Sequence, residues 1–169
     1  MICVNPGPFG RLVRFALVAA ALAPALAVLL ALAMGPSAAS AQTGPQPRLP
    51  TVQLRAGMHL IETEIAKTPT QQATGMMFRT RMGTNEAMLF ISDETSVRCF
   101  WMRNTLIPLS IAFLDDDGTV VNIADMQPRS DASHCSRKPV RYALEMNQGW
   151  FAKRGIKAGS RIVGGPFGK

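Results

Sequence analysis

A mainly β domain, a compact antiparallel barrel or sandwich with two short helices, is what this sequence predicts. Three observations carry the expectation. Apolar or alternating runs about strand length recur between Gly, Pro and Asp turns. Asp115-Asp116-Asp117-Gly118 ends in an Asp-Gly pair between two such runs, a strong hairpin signal. Only two short stretches carry helix start and stop residues. No internal repeat is visible, and many short strands with few helices argue for one layered or closed β domain.

Taken in order, residues 42–50 hold Gly44, Pro45, Pro47 and Pro50, and read as an extended linker without a core. The domain is expected over residues 51–163. Thr51 to Ala56 and Met58 to Ala66 alternate, with Gly57 as the turn of a hairpin. Thr68-Pro69-Thr70-Gln71 reads as a helix start: Thr68 caps, Pro69 fits the first helical position, and Gln71 reaches back to complete a capping box. Gly75 ends that helix. Ala87 to Ile91 is a buried strand, Asp93 to Ser96 a loop, and Val97 to Met102 a strand apolar on both faces. Leu109 to Leu114 and Thr119 to Ala124 flank the Asp-Gly hairpin. Gln127 to Pro139 is a long polar loop, of the kind small domains often use for function. Val140 to Met146 is a strand. Asn147 caps a short helix through Trp150 to Ala152, with Lys153, Arg154 and Gly155 at its end. A last strand over 161–163 precedes a flexible Gly-rich tail at 164–169.

Upstream, Arg11 and Arg14 precede an apolar run from Phe15 to Met34, followed by the small-residue pattern Ala39-Ser40-Ala41. That order is the anatomy of a secretory signal peptide over residues 1–41, cleaved after Ala41. The alternative is an uncleaved inner-membrane anchor, because the run is about as long as a membrane-spanning helix needs. The expected location is periplasmic or secreted. The chain of 169 residues carries a net charge of +7, and it stays basic once Arg11 and Arg14 leave. No basic run exceeds two residues, so dispersed solubilising charge is favoured over nucleic-acid binding. Contact with a membrane is expected only through Phe15–Met34, if that segment is retained.

Gly75-Met76-Met77-Phe78-Arg79, Met88-Leu89-Phe90, Phe100-Trp101-Met102-Arg103-Asn104-Thr105-Leu106-Ile107-Pro108-Leu109, Tyr142-Ala143-Leu144-Glu145 and Gly149-Trp150-Phe151 occur in that order. The set resembles the domain-of-unknown-function family 192, small prokaryotic proteins that are often exported, over about Val52 to Val163. The resemblance implies a compact, mostly β fold with a short helix on each side, and no established activity. The family commonly has Asp after its Pro-Leu pair. This chain has Ser110 there, so an acid–base role for that position would fail.

Cys99 and Cys135 are the thiols left after cleavage. In an oxidising compartment they read as one disulfide, which by the chain-entropy model stabilises by roughly 4 kcal/mol. The alternatives are a buried free Cys99 or a reactive Cys135 beside His134. No metal site is expected, since His59, His134 and the cysteines lack paired ligand spacing and most methionines fall in apolar runs where thioethers fill core gaps. Copper or other soft-metal handling by Met and Cys stays open as an alternative. No cofactor is expected.

The better candidate is a mouth of the barrel where Arg79, Arg103, Asn104, Thr105 and Glu145 meet, with Trp101 or Trp150 as an apolar wall. Arg79 would take a small anionic ligand or an envelope component through its planar fork. The bland reading is that turn chemistry explains Asn104 and Thr105, and that Arg79 and Glu145 form an ion pair. The expected function is thus a non-enzymatic envelope binding or accessory module. The alternative is a hydrolase using Glu145 as base, with Arg79 and Asn104 stabilising charge.

Overall fold

The computed structural model describes residues 43–167; the expected signal peptide or anchor lies outside the described residues. Among these residues no helix is long and apolar enough to cross a membrane. The fold is mainly β, as expected. Its strands are β1 (Thr51–Ala56), β2 (His59–Ala66), β3 (Glu86–Ser96), β4 (Cys99–Phe100), β5 (Leu109–Leu114), β6 (Val120–Met126), β7 (His134–Cys135), β8 (Val140–Asn147) and β9 (Ile162–Gly164), with one α-helix, α1 (Pro69–Thr74). Seven strands form a sheet in the order β6-β5-β8-β3-β2-β1-β9, and β4 pairs only with β7. The sheet curls until its edges touch. Thr119 bridges Arg161, and the amides of Val120 and Ile162 donate to the carbonyls of Ser160 and Gly118 at 2.8 and 2.9 Å. Closing an edge in this way removes unpaired backbone groups.

The hairpin β1–β2 turns at Gly57, whose φ of 58° lies in the left-handed region a two-residue turn requires. The β2–β3 pair is parallel rather than antiparallel, because residues 67–85 carry the chain across one sheet face before β3 begins. α1 starts as the sequence indicates, with Thr68 and Gln71 in a reciprocal capping box and Pro69 in the first turn. A helix this short is marginal alone. It is anchored by the Gln72 amide, which donates to the carbonyls of Ile91 at 2.7 Å and Lys67 at 3.0 Å.

Both sheet faces are covered. One packs Leu54, Ile61, Leu89, Leu144, Phe151 and Ile162. The other packs Met88, Phe90, Ile111, Phe113 and Ala143 beneath Met76, Phe100, Met102 and Leu49. This explains why every residue of β5 is buried; each large apolar side chain so buried contributes about 1.5–3 kcal/mol.

Several expectations change. The strand over 97–102 shrinks to Cys99–Phe100, since β3 already has β2 and β8 as neighbours and the segment instead lies over the sheet. Asp93 to Ser96 is not a loop but the end of β3, rejoining β8 at Ser96–Val140 after an irregularity. The second short helix is a 3-10 turn at Ala152–Arg154, ended by Gly155 at φ 68°. Asn147 does not cap it with its side chain, which donates to the carbonyls of Met82 and Gly83. Residues 43–50 are extended but not without a core. The Gln46 amide donates to Gln71 and Gly75 carbonyls, and Leu49 packs on the sheet. The tail is packed as far as Phe167, which is buried edge-on against Tyr142 at 4.9 Å.

Candidate functional site

A cavity of about 250 Å³ lies between α1 with its following turn, the Arg98–Trp101 stretch and the sheet. Its polar side chains include Gln72, Thr74, Arg98, Thr105 and Glu145; its apolar ones include Met76, Met77, Phe90, Phe100 and Trp101. Phe90 and Phe100 stand edge to face at 4.9 Å.

Three backbone links hold the far wall. Met102 N–H donates to Ser130 O at 2.8 Å, Arg129 N–H to Thr105 O at 3.0 Å, and Phe78 N–H to Asn104 O at 2.9 Å. Phe78 and Arg129 sit at φ 62° and 57°, conformations that cost non-glycine residues free energy and persist only when neighbours fix them. The bond from Phe78 to Asn104 does so beside Met76 and Met77. Cys99 and Cys135 form the disulfide, with Cα atoms 4.1 Å apart across the β4–β7 pair. It ties the long loop to the cavity's rim, and both cysteines are exposed.

Glu145 is the informative residue. It lies on β8 between Met88 of β3 and Ile111 of β5 in the register, is only 4% exposed, and lines the cavity. Among the described residues no hydrogen bond or ion pair reaches its carboxyl. Burial pushes it up to about 8, because the charged form loses water and gains no partner. At neutral pH it is mostly a protonated acid, able both to donate and to accept.

Of the residues the sequence singled out, Trp101, Thr105 and Glu145 come together at the cavity. Asn104 does not line it, but its amide donates to the sulfur of Met77, a lining residue, at 3.8 Å. Arg103 lies over the Trp101 ring at 4.1 Å and pairs with Asp131 at 2.7 Å. That exposed pair contributes little to stability. Arg79 does not join them, and the expected Arg79–Glu145 pair is corrected. Its guanidinium grips Glu64 with both nitrogens, at 2.5 and 2.8 Å. Glu64 sits on β2, two strands from Glu145 along one register row through Met88, so the fork reaches the nearer acid. The hydrolase constellation of Glu145, Arg79 and Asn104 is therefore not assembled. Trp150 belongs to the opposite sheet face, where its indole N–H donates to Asn85 at 3.2 Å and Arg154 covers its ring at 4.3 Å. The copper reading loses its thiolates, since both cysteines are consumed by the disulfide.

Sequence reasoning missed Arg98 and Glu64. Arg98 donates to the Gln72 amide oxygen at 3.1 Å; its only signal was a lone cation before an apolar pair. Glu64 alternates with Glu62 as if on a solvated face. It is buried because residues 43–50 cross over it, with Leu49 N–H donating to it at 2.8 Å. Burial alone would raise Glu64, but the bonds from Arg79 and Leu49, with the charges of Arg79 and Arg48, outweigh it and hold the carboxyl below its ordinary value.

The chain is similar to two solved structures. One is a protein from Sinorhizobium meliloti 1021, provisionally labelled a transcription regulator, at 33% identity and a TM-score of 0.69, with 72% of this chain and 98% of that one covered. The other is a protein of unknown function from Novosphingobium aromaticivorans DSM 12444, at 35% identity and a TM-score of 0.64, covering 73% and 94%. No curated protein gives a significant match. The family model of DUF192, described as an uncharacterized ACR, matches residues 52–164. The match spans nearly all of the β domain: the chain belongs to the DUF192 family.

Proposed function

We propose that this chain is an exported cell-envelope module that binds a small ligand in the cavity between α1 and β4, and that it acts by binding rather than by catalysis. One observation carries the reading: Glu145 is a buried carboxyl without a partner, facing a cavity with aromatic and thioether walls. A carboxyl buried at a cavity wall, with no protein group to bond, has free energy to gain from pairing, so its place there suits a site completed by a ligand. Export is supported by the basic, apolar and small-residue order of the N-terminus, and by a disulfide exposed to its surroundings, which suits an oxidising compartment.

The regulator label of the Sinorhizobium protein is not carried over. The basic residues are dispersed along the sequence with no run longer than two, and Arg48, Arg79, Arg103, Lys138 and Arg141 already face carboxylates, which argues against a nucleic-acid surface.

A thermal-shift screen with amines, acids, sugars, nucleotides and copper(I) tests the reading. A ligand present at about 100 times its Kd stabilises by about 2.7 kcal/mol, a rise of several degrees. The rise should shrink in Trp101→Ala and Thr105→Val. A ligand whose effect survives both substitutions would place binding elsewhere. A rise with copper(I) alone would replace this reading with metal handling through Met76 and Met77.

A further inference from the structure

We infer that the cavity takes a small zwitterion, with an ammonium group at Glu145, a carboxylate at Arg98, and an apolar body against Phe90, Phe100 and Met76. The inference rests on the binding role proposed above and names the ligand class for that cavity.

The cavity is lined by a cation and by a buried carboxylic acid, neither of which has an ion-pair partner among the described residues. Arg98 lines it, and among the described residues its guanidinium meets no carboxylate, only the neutral Gln72 amide. Glu145 lines the same cavity without a cation. An anion alone would answer Arg98 but leave Glu145 in its neutral acid form, and a cation alone would pair with Glu145 but leave Arg98 without a counter-charge. A molecule carrying both signs answers each, with the charge-assisted hydrogen bonds that make such contacts strong. About 250 Å³ falls below the usual range of about 300–1,000 Å³ for drug-sized ligands, so the occupant is small. The apolar walls supply the remaining burial.

The groups that set the charge state of Glu145 are few. Its register neighbours Met88 and Ile111 are apolar. α1 and its turn present Gln72, Thr74, Met76 and Met77, and the Arg98–Trp101 stretch presents Arg98. The Glu64–Arg79 pair lies beyond Met88 and is internally neutral. When an ammonium ion seats against Glu145, the protonated carboxyl gives its proton to solvent and becomes the carboxylate of an ion pair. Binding at neutral pH therefore releases close to one proton per ligand.

The test is isothermal titration calorimetry on the protein recovered from the cell envelope, in buffers of different ionisation enthalpy. Four probes are compared: leucine, leucinamide as the cation, N-acetyl-leucine as the anion, and doubly blocked N-acetyl-leucinamide. Leucine should bind at least tenfold more tightly than any blocked form and release a proton. Glu145→Gln should abolish that release, and Arg98→Gln should bring leucine and leucinamide to parity. If the doubly blocked compound binds as well as leucine, the zwitterion is overturned while the cavity remains a binding site. If no probe binds at millimolar concentration, the zwitterion is again overturned, and the wider screen decides the cavity's role. The four probes act on the unaltered protein, so the result does not depend on a variant folding.

Discussion

Glu64 and Glu145 sit in one row of one sheet, separated by Met88, and both are 4% exposed. Two strand spacings, about 10 Å, divide them. Glu64 accepts from Arg79 and from the Leu49 backbone and is held ionised. Glu145 accepts nothing and is held protonated near neutral pH. Similar exposure thus gives opposite charge states, because Glu145 lies deeper and has no partner, whereas at Glu64 the bonds from Arg79 and Leu49 outweigh a smaller desolvation. The paired acid is architecture: it fastens residues 43–50 and the turn after α1 to the sheet. The lone acid is where a ligand has something to complete.

The comparison breaks most visibly with pH. Glu145 has its folded-state value raised from 4.5 to about 8. Below about 4.5 it is protonated folded or unfolded and imposes no penalty. As pH rises toward 8 the unfolded chain ionises while the folded one resists, so stability falls, by on the order of 5 kcal/mol over the window. Glu145→Gln should remove this slope, read as denaturant midpoints on both sides of the window. Glu64 acts in the opposite sense. Its lowered value means its stabilisation is present above 4.5 and is lost as pH falls through the folded value.

Removing one partner of the paired acid sharpens the contrast. Glu64→Gln leaves Arg79, largely buried, without its counter-charge and should cost about 3–5 kcal/mol in equilibrium unfolding. Glu145→Gln should instead stabilise the protein at neutral pH, by about 3 kcal/mol, because the amide is spared the protonation that the buried carboxyl requires.

Reducing Cys99–Cys135 opens a loop spanning 36 residues and should cost roughly 4 kcal/mol by the chain-entropy model. It should loosen hydrogen-exchange protection around Trp101 and Thr105, the Glu145 side, before the Glu64–Arg79 side. Reduction and thermal melting followed by Trp fluorescence check the first effect.

Gly75→Ala is the smallest perturbation. Gly75 has φ 48°, and a Cβ there would approach the Phe90 ring at 3.1 Å. The backbone strain and the displaced ring should cost about 1–2 kcal/mol and weaken ligand binding at the cavity, measured by thermal shift with and without leucine.

Much of this was legible in the residues. Thr68-Pro69-Thr70-Gln71 specifies its cap through local chemistry alone, and it formed as read. The two cysteines paired, and Glu145, named as a candidate at the mouth of the barrel, lines the cavity. What failed depended on distant chain. Period-2 alternation puts Glu64 beside Glu62 on a polar face, and only the crossing of residues 43–50 buries it. Arg79 could be seen to need an acid, but which acid depended on the parallel β2–β3 pairing. That pairing is set by the crossover through α1, which no local pattern encodes. Trp101 and Trp150 looked equivalent as walls; the sheet places them on opposite faces.

The most direct measurement is the pH titration of the Glu145 carboxyl by ¹³C NMR, with Glu145→Gln to assign the signal and leucine added in a second series. In the free protein the midpoint should lie near about 8. With leucine bound, the signal should be that of a carboxylate already at neutral pH. A free-protein midpoint near the ordinary 4.5, unmoved by leucine, would contradict the account of a lone buried acid awaiting a counter-charge.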